Sequence, residues 1–204
     1  MRERYPGWQP STCGDCYRAQ RGSSGSRSPR NRGTHPRGAR AGTREEGLTL
    51  AEVLERYDGG PDTGVFTDGA ANPNPGPGGW GAVYVVDGEV IAQAYGHEPH
   101  TTNNRMELTA LLEGIELVPE GTAAVLYSDS NLAVRTVTEW AAGWEQRGWR
   151  RKRGPVENLD LVRPLYERLR ERPELTVVWI KAHVGHRWNE YADSLATAYA
   201  RDEL

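Results

Sequence analysis

Cysteine is nearly absent. The 204-residue chain has two, Cys13 and Cys16, so no disulfide can form beyond residue 16. That composition suits a reducing compartment. The pair is also too small for a structural zinc site, which wants four ligands, and His35 is the one other candidate nearby. Lysine is almost as scarce, with Lys152 and Lys181 alone, so arginine carries the positive charge. No apolar run reaches the roughly 18 residues of a membrane span. Met1-Arg2-Glu3-Arg4 leads into no apolar stretch, so neither a span nor a secretory leader is expected. The expectation is a cytoplasmic monomer. The closing Arg201-Asp202-Glu203-Leu204 resembles a retention signal only loosely and carries no meaning without a leader.

Aliphatic residues are lacking in one region only. Residues 1–46 are rich in Gly, Ser, Arg and Pro, with ten arginines against four acids, a balance of +6. Such a segment cannot bury enough apolar surface to offset its ordering entropy, so a disordered tail is expected. The remainder has 15 basic and 24 acidic residues, a balance of −9. A short amphipathic stretch at 48–57 ends at Asp58-Gly59-Gly60-Pro61. These features divide the chain into a tail, 1–60, and a folded domain, 61–204.

Within the domain, hydrophobic periodicity sets the elements. Residues 65–67 read as a strand, and 71–79 as a Pro/Gly/Asn loop. Strands at 80–86 and 90–96 flank Asp87-Gly88, a strong hairpin signal. Leu108, Leu111, Leu112 and Ile115 give the buried stripe of a helix at 103–118. A strand at 123–127, helices at 131–139 and 158–170, a strand at 176–180 and a helix at 189–200 complete the order. Pro164 is expected in the first turns of its helix, where proline is tolerated. Three hairpin-linked strands, then helix, strand, helices, strand and helix, make an α/β fold. Its five-stranded mixed sheet has three antiparallel and two parallel strands, with helices on its faces.

Three acids stand at or next to the end of an apolar run: Asp68 in Phe66-Thr67-Asp68-Gly69, Glu107 in Thr101-Thr102-Asn103-Asn104-Arg105-Met106-Glu107-Leu108, and Asp129 in Tyr127-Ser128-Asp129-Ser130; a fourth, Asp193, follows Lys181-Ala182-His183-Val184-Gly185-His186. Taken singly, Asp68 reads as a turn residue and Glu107 as an exposed helix acid. Asp129 reads as a helix cap and Asp193 as an acid favoured at the start of a helix. Together they suggest a site for hard divalent cations, which prefer oxygen ligands.

These strings, with Asn72-Pro73-Asn74-Pro75-Gly76-Pro77-Gly78-Gly79 and Lys181-Ala182-His183-Val184-Gly185-His186, resemble the type 1 ribonuclease H family in residue type and order. The resemblance covers residues 63–200 and implies an RNase H-like fold. It implies an endonuclease that hydrolyses the RNA strand of RNA/DNA hybrids, leaving 5′-phosphate and 3′-hydroxyl ends. It implies two Mg²⁺ ions, with Mn²⁺ as an alternative, held by Asp68, Glu107, Asp129 and Asp193. Two metals about 3.5–4 Å apart can serve the attacking water and the leaving oxygen together. His183 takes the family's role in proton movement and product release, as a near-neutral imidazole can. His186 is expected to shape the loop. Arg187-Trp188 follows it where many family members have Pro-Glu, which bears on the loop's mobility.

The resemblance also assigns substrate contacts. Asn103 and Asn104 share a helix turn with Glu107 and can read base edges and 2′-hydroxyls. Asn131 is a further contact of that kind. Asn74 and Thr102 match positions that hold a DNA-strand phosphate; turn and helix-cap chemistry also accounts for them. Trp140, Trp144 and Trp149, with Arg147, Arg150, Arg151, Lys152 and Arg153, resemble the family's basic protrusion, with Trp140 against a deoxyribose. Two rival readings are a catalytically silent hybrid-binding domain and a fragment of a larger polymerase or transposase-type nuclease. The presence of all four acids and His183 opposes the first. The ending shortly after the last helix, with no further domain, opposes the second and favours a free-standing enzyme.

Overall fold

The computed structural model describes residues 47–201. The expectations for the arginine-rich tail and for Cys13 and Cys16 lie outside the described residues.

Helix α1 (Leu50–Arg56) opens the described chain. Thr49 caps it reciprocally: its hydroxyl accepts from the Glu52 N–H, and its own N–H donates to the Glu52 carboxylate. Strands β1 (Gly64–Ala71), β2 (Gly76–Val86) and β3 (Glu89–Thr101) follow. Asp87 and Gly88 join the last two with positive φ at both positions, as the hairpin signal requires. Then come α2 (Asn103–Glu116), β4 (Ala124–Ser128) and α3 (Asn131–Arg135). A π turn (Thr136–Trp140) leads into α4 (Ala141–Gln146). The chain closes with α5 (Leu159–Glu171), β5 (Leu175–Trp179), α6 (Arg187–Thr197) and a 3₁₀ turn, Ala198–Ala200.

The sheet order is β3-β2-β1-β4-β5. β1 pairs antiparallel with β2, and β2 with β3; β4 pairs parallel with both β1 and β5. The expected five-stranded mixed sheet is the one observed. Alternation along β1 divides the core. Val65 joins Leu111, Ile115, Leu126, Val162 and Leu165 under α2 and α5. Phe66, its neighbour, joins Val53, Val83, Trp188, Tyr191 and Leu195 under α1 and α6. Each of these fully buried aliphatic side chains contributes about 1.5–3 kcal/mol.

Several boundaries differ from expectation. β2 begins at Gly76, inside the stretch that composition marks as loop, because Gly78 and Gly79 pair with Ala71 and Ala70. The helix expected at 131–139 is broken by the π turn and resumes as α4. Pro164 is the sixth residue of α5, in its second turn, within the first turns where it is expected. There it removes one ladder hydrogen bond. Residues 47–60 pack with the body, so the compact unit starts at Gly47 rather than at 61. A seven-residue helix with one fully buried side chain, Val53, is too short for composition to register as core.

Candidate active site

The parallel pairing of β1 with β4 places Thr67 opposite Ser128. The next residues along, Asp68 and Asp129, therefore stand side by side, Asp68 within β1 and Asp129 just past the end of β4. Glu107 arrives from α2. Gly69 makes that approach feasible, because a Cβ there would collide with the backbone of Met106 and Glu107. Carboxylate oxygens of Asp68, Glu107 and Asp129 all lie within 4.8 Å of one another. Asp193, on α6, lies near enough for its charge to act on Asp68, Glu107 and Asp129. The four acids singled out in the sequence thus converge, three in a tight triangle and the fourth beside it.

Their electrostatics are unfavourable in isolation. Burial pushes Asp68 well above the usual carboxylate range, and the charges of Glu107, Asp129 and Asp193 push it further. Glu107 is raised in the same way, by burial and then by Asp129 and Asp193. Asp129 is raised by burial, against the pull of an Asn189 hydrogen bond and of His183. Among the described residues, the buried Glu107 Oε2 has no hydrogen-bond partner. Clustered carboxylates with open oxygens fit a hard divalent cation, whose charge favours their ionised forms.

Two supporting residues carry no signal of their own in the sequence. Asn189 is 1% exposed and donates from Nδ2 to Asp129 Oδ2 at 3.1 Å. Trp179 donates from its indole to the Asp129 carbonyl at 2.9 Å. Asn189 stands four residues before Asp193, so the two share a helix face; that spacing is the one hint available beforehand. Trp179 ends an edge strand, and nothing in its neighbourhood singles it out.

His183 has an exposed side chain and a φ of 49° in the loop between β5 and α6. Its Nδ1 lies 3.7 Å from the buried Glu190 carboxylate. His186 instead caps α6 through its backbone, and its Nδ1 is buried.

The expected substrate residues divide into engaged and open groups. Thr102 caps α2, accepting from the Arg105 N–H. Asn103 Oδ1 accepts from the Ala71 N–H at 2.7 Å, and the Asn103 N–H donates to Asn74 Oδ1. These three side chains bind the end of β1 to the start of α2. Asn104 and Asn131 are exposed. Asn104 lines a hollow with Ser130, Leu132, Trp140, Trp144 and Arg151. Arg135 lies over the Trp140 ring, 4.8 Å from its centroid. Trp149 packs edge-on against Tyr166. Arg150 pairs with Pro155 in a short bridge. Arg151 bonds the Pro155 carbonyl and Glu157, while Arg150, Lys152 and Arg153 are exposed.

Residues 61–201 match the family model for RNase H. The chain belongs to the ribonuclease H family. It is accordingly a hydrolase of the nuclease class, an endoribonuclease acting on the RNA strand of RNA/DNA hybrids, and the family implies dependence on a divalent metal. A ribonuclease H of Methylorubrum extorquens is 46% identical over 140 residues, covering 69% of this chain and 60% of that protein. One of Hahella chejuensis is 42% identical over 141 residues, covering 69% of this chain and 94% of that protein. The crystal structure of LC9-RNase H1, a type 1 RNase H with the type 2 active-site motif, superposes with a TM-score of 0.55 at 31% identity. That match covers 70% of this chain and 74% of the other. The PFV RNase H domain, at 21% identity and a TM-score of 0.56, shares the fold. Among the described residues no helix is long and apolar enough to cross a membrane.

Proposed function

We propose that this ribonuclease H cuts the RNA strand of hybrids by a two-metal-ion hydrolysis that leaves 5′-phosphate and 3′-hydroxyl ends. Asp68, Glu107, Asp129 and Asp193 would hold two Mg²⁺ ions, with Mn²⁺ as an alternative. The observation that carries the reading is the partly buried triangle of carboxylates within 4.8 Å, with Glu107 Oε2 open. Bound there, the cations would neutralise the cluster, favour ionisation of the attacking water and stabilise the departing 3′-oxygen.

The chain's own residues do the rest. Asn189 and Trp179 orient Asp129. His183, exposed on its loop and electrostatically in reach of Asp129, can exchange a proton between the reacting centre and solvent. Asn104 and Asn131 are open to read the minor groove, where the 2′-hydroxyls of the RNA strand lie. Thr102, Asn103 and Asn74 form a rigid corner from which backbone and side-chain groups can meet a DNA-strand phosphate. The hollow lined by Trp140, Trp144 and Arg151 would offer the DNA strand an apolar floor, with Trp149, Arg150 and Lys152 as further contacts of the basic segment. We take the enzyme to act as a monomer in the cytoplasm.

The test is cleavage of labelled RNA/DNA hybrid, duplex RNA and duplex DNA, with Mg²⁺ and with chelator. Only the hybrid should be cut, and only with the cation. Asp129→Asn should abolish cutting while the melting temperature without metal is held or raised, since one repelling charge is gone. Wild-type activity in that variant would remove Asp129 from the mechanism. A clear loss of stability would assign it a structural role instead, though not helix capping, which Ser130 supplies to α3.

A further inference from the structure

We propose that residues 47–60 form a strap that latches the hinge of the His183 loop and thereby holds His183 at the carboxylate cluster. The inference rests on the proton-transfer role proposed for His183. It concerns a segment that lies before the residues matching the family model.

The loop between β5 and α6 is tied at two ends. At its start, the Ile180 N–H donates to the Ser128 carbonyl at 3.0 Å, next to Asp129. At its far end, both ties run to the strap. The Arg187 N–H donates to the Gly59 carbonyl at 2.8 Å, and Arg187 Nε donates to the Tyr57 carbonyl. Gly59 also bridges His186 in a parallel pairing. Between the ties, Lys181, His183 and Val184 are exposed. His183 holds a left-handed backbone that a non-glycine residue adopts reluctantly. Such a conformation persists where its surroundings enforce it.

The strap lies close on the hinge. Gly60 has φ +92°, and a Cβ there would come within 3.0 Å of the His186 Cβ and Cγ. The strap is itself anchored on α6. Val53 is 1% exposed in the cluster that holds Trp188, Tyr191 and Leu195. Ser194 Oγ donates to the Leu48 carbonyl at 2.6 Å. The latch uses both donors of Arg187 and the apolar surface of Trp188. Proline at 187 would have neither the backbone N–H nor a side-chain donor.

Arg187 is the first residue of α6, where proline is well accepted. Arg187→Pro in the full chain thus removes both latch donors without breaking the helix. With hybrid and Mg²⁺, kcat should fall roughly 5–10-fold, while KM stays within about twofold. In a His183→Ala background the same substitution should change kcat by less than about twofold, because the latch acts through His183. Val53→Ala loosens the strap from its apolar side and should repeat the pattern more weakly in both backgrounds. A thermal melt run beside each assay shows that the variants are folded. Wild-type kcat in both latch variants overturns the proposal. So does an equal fall with and without His183, which would mark a general loss of stability. A wild-type protein that fails to cut hybrid overturns the nuclease reading and the latch with it.

Discussion

An aspartate side chain has two rotatable bonds, and burial alone does not aim it. Asp129 is aimed from two directions, by the Asn189 amide on one carboxylate oxygen and the Trp179 indole on its own carbonyl. Partners of this kind commonly set metal affinity as strongly as a factor of about 10–100. Asn189→Ala should therefore shift the cation dependence of cleavage to concentrations roughly 10–100-fold higher, with activity partly recovered at saturation. Titrating the rate with Mg²⁺ reads this directly, and an unchanged midpoint would reduce Asn189 to a space-filling residue. Asp68, Glu107 and Asp129 could be read from the sequence because each sits in a short, distinctive string at or near the end of an apolar run; Asp193 follows from its place in the helix after Lys181 to His186. Asn189 and Trp179 could not. Their roles come from contacts with a residue 50–60 positions away, and neither string is distinctive.

At the scale of one helix, α2 does more than deliver Glu107. Two turns further on, burial and the charge of Glu116 push Glu113 up to about 7. Glu116 is itself bonded to Arg168 of α5 at 2.7 Å. The sign follows from comparing states. The folded form holds the Glu113 proton more tightly than the unfolded chain, where a glutamate titrates near 4.5. Stability from this group is therefore full below about 4.5 and is lost as pH rises through about 7. Glu113→Gln should remove that loss. Its melting temperature should exceed the wild type's by a few degrees at pH 8, for a gain of order 1–3 kcal/mol, and the gap should close near pH 4.5. Keeping Mg²⁺ constant holds the carboxylate cluster out of the comparison. Parallel pH curves would show that Glu113 is solvated. The elements themselves were largely legible, since periods of 2 and 3.6 are local properties. Their ends were not. Gly76 to Gly79 reads as loop by composition yet extends β2, because Ala70 and Ala71 pair opposite it. The π turn that ends at Trp140 likewise leaves no local mark.

Over the whole molecule, the order of elements and the short connections lead to the sheet topology, and the structure agrees. The docking of residues 47–60 on α6 escapes such reasoning, because it joins positions 130–146 apart through few side chains. Charge is the remaining long-range property. Residues 47–204 carry −9, which opposes approach of a polyanion. The basic segment is the local exception, and its cations are not equivalent. Arg151 is spent on Glu157 and the Pro155 carbonyl, so it holds the short bridge between Arg150 and Pro155. Arg150, Lys152 and Arg153 are exposed and form no salt bridge among the described residues. Neutralising these three should raise KM and flatten its dependence on salt, because up to three fewer counterions are released on binding. The expected change in log–log slope is roughly 2–3 if all three meet phosphates. Turnover at saturation should hold, since none touches the carboxylate triangle. Arg151→Ala should differ in kind: a smaller change in slope, with the hollow beside Trp140 and Trp144 loosened and KM raised at every salt concentration. Measuring KM across a salt series for both variants separates the two roles. An unchanged slope in the triple variant would leave the cluster as a solvated face, and equal slopes in both would mean that Arg151 meets phosphate as the others do.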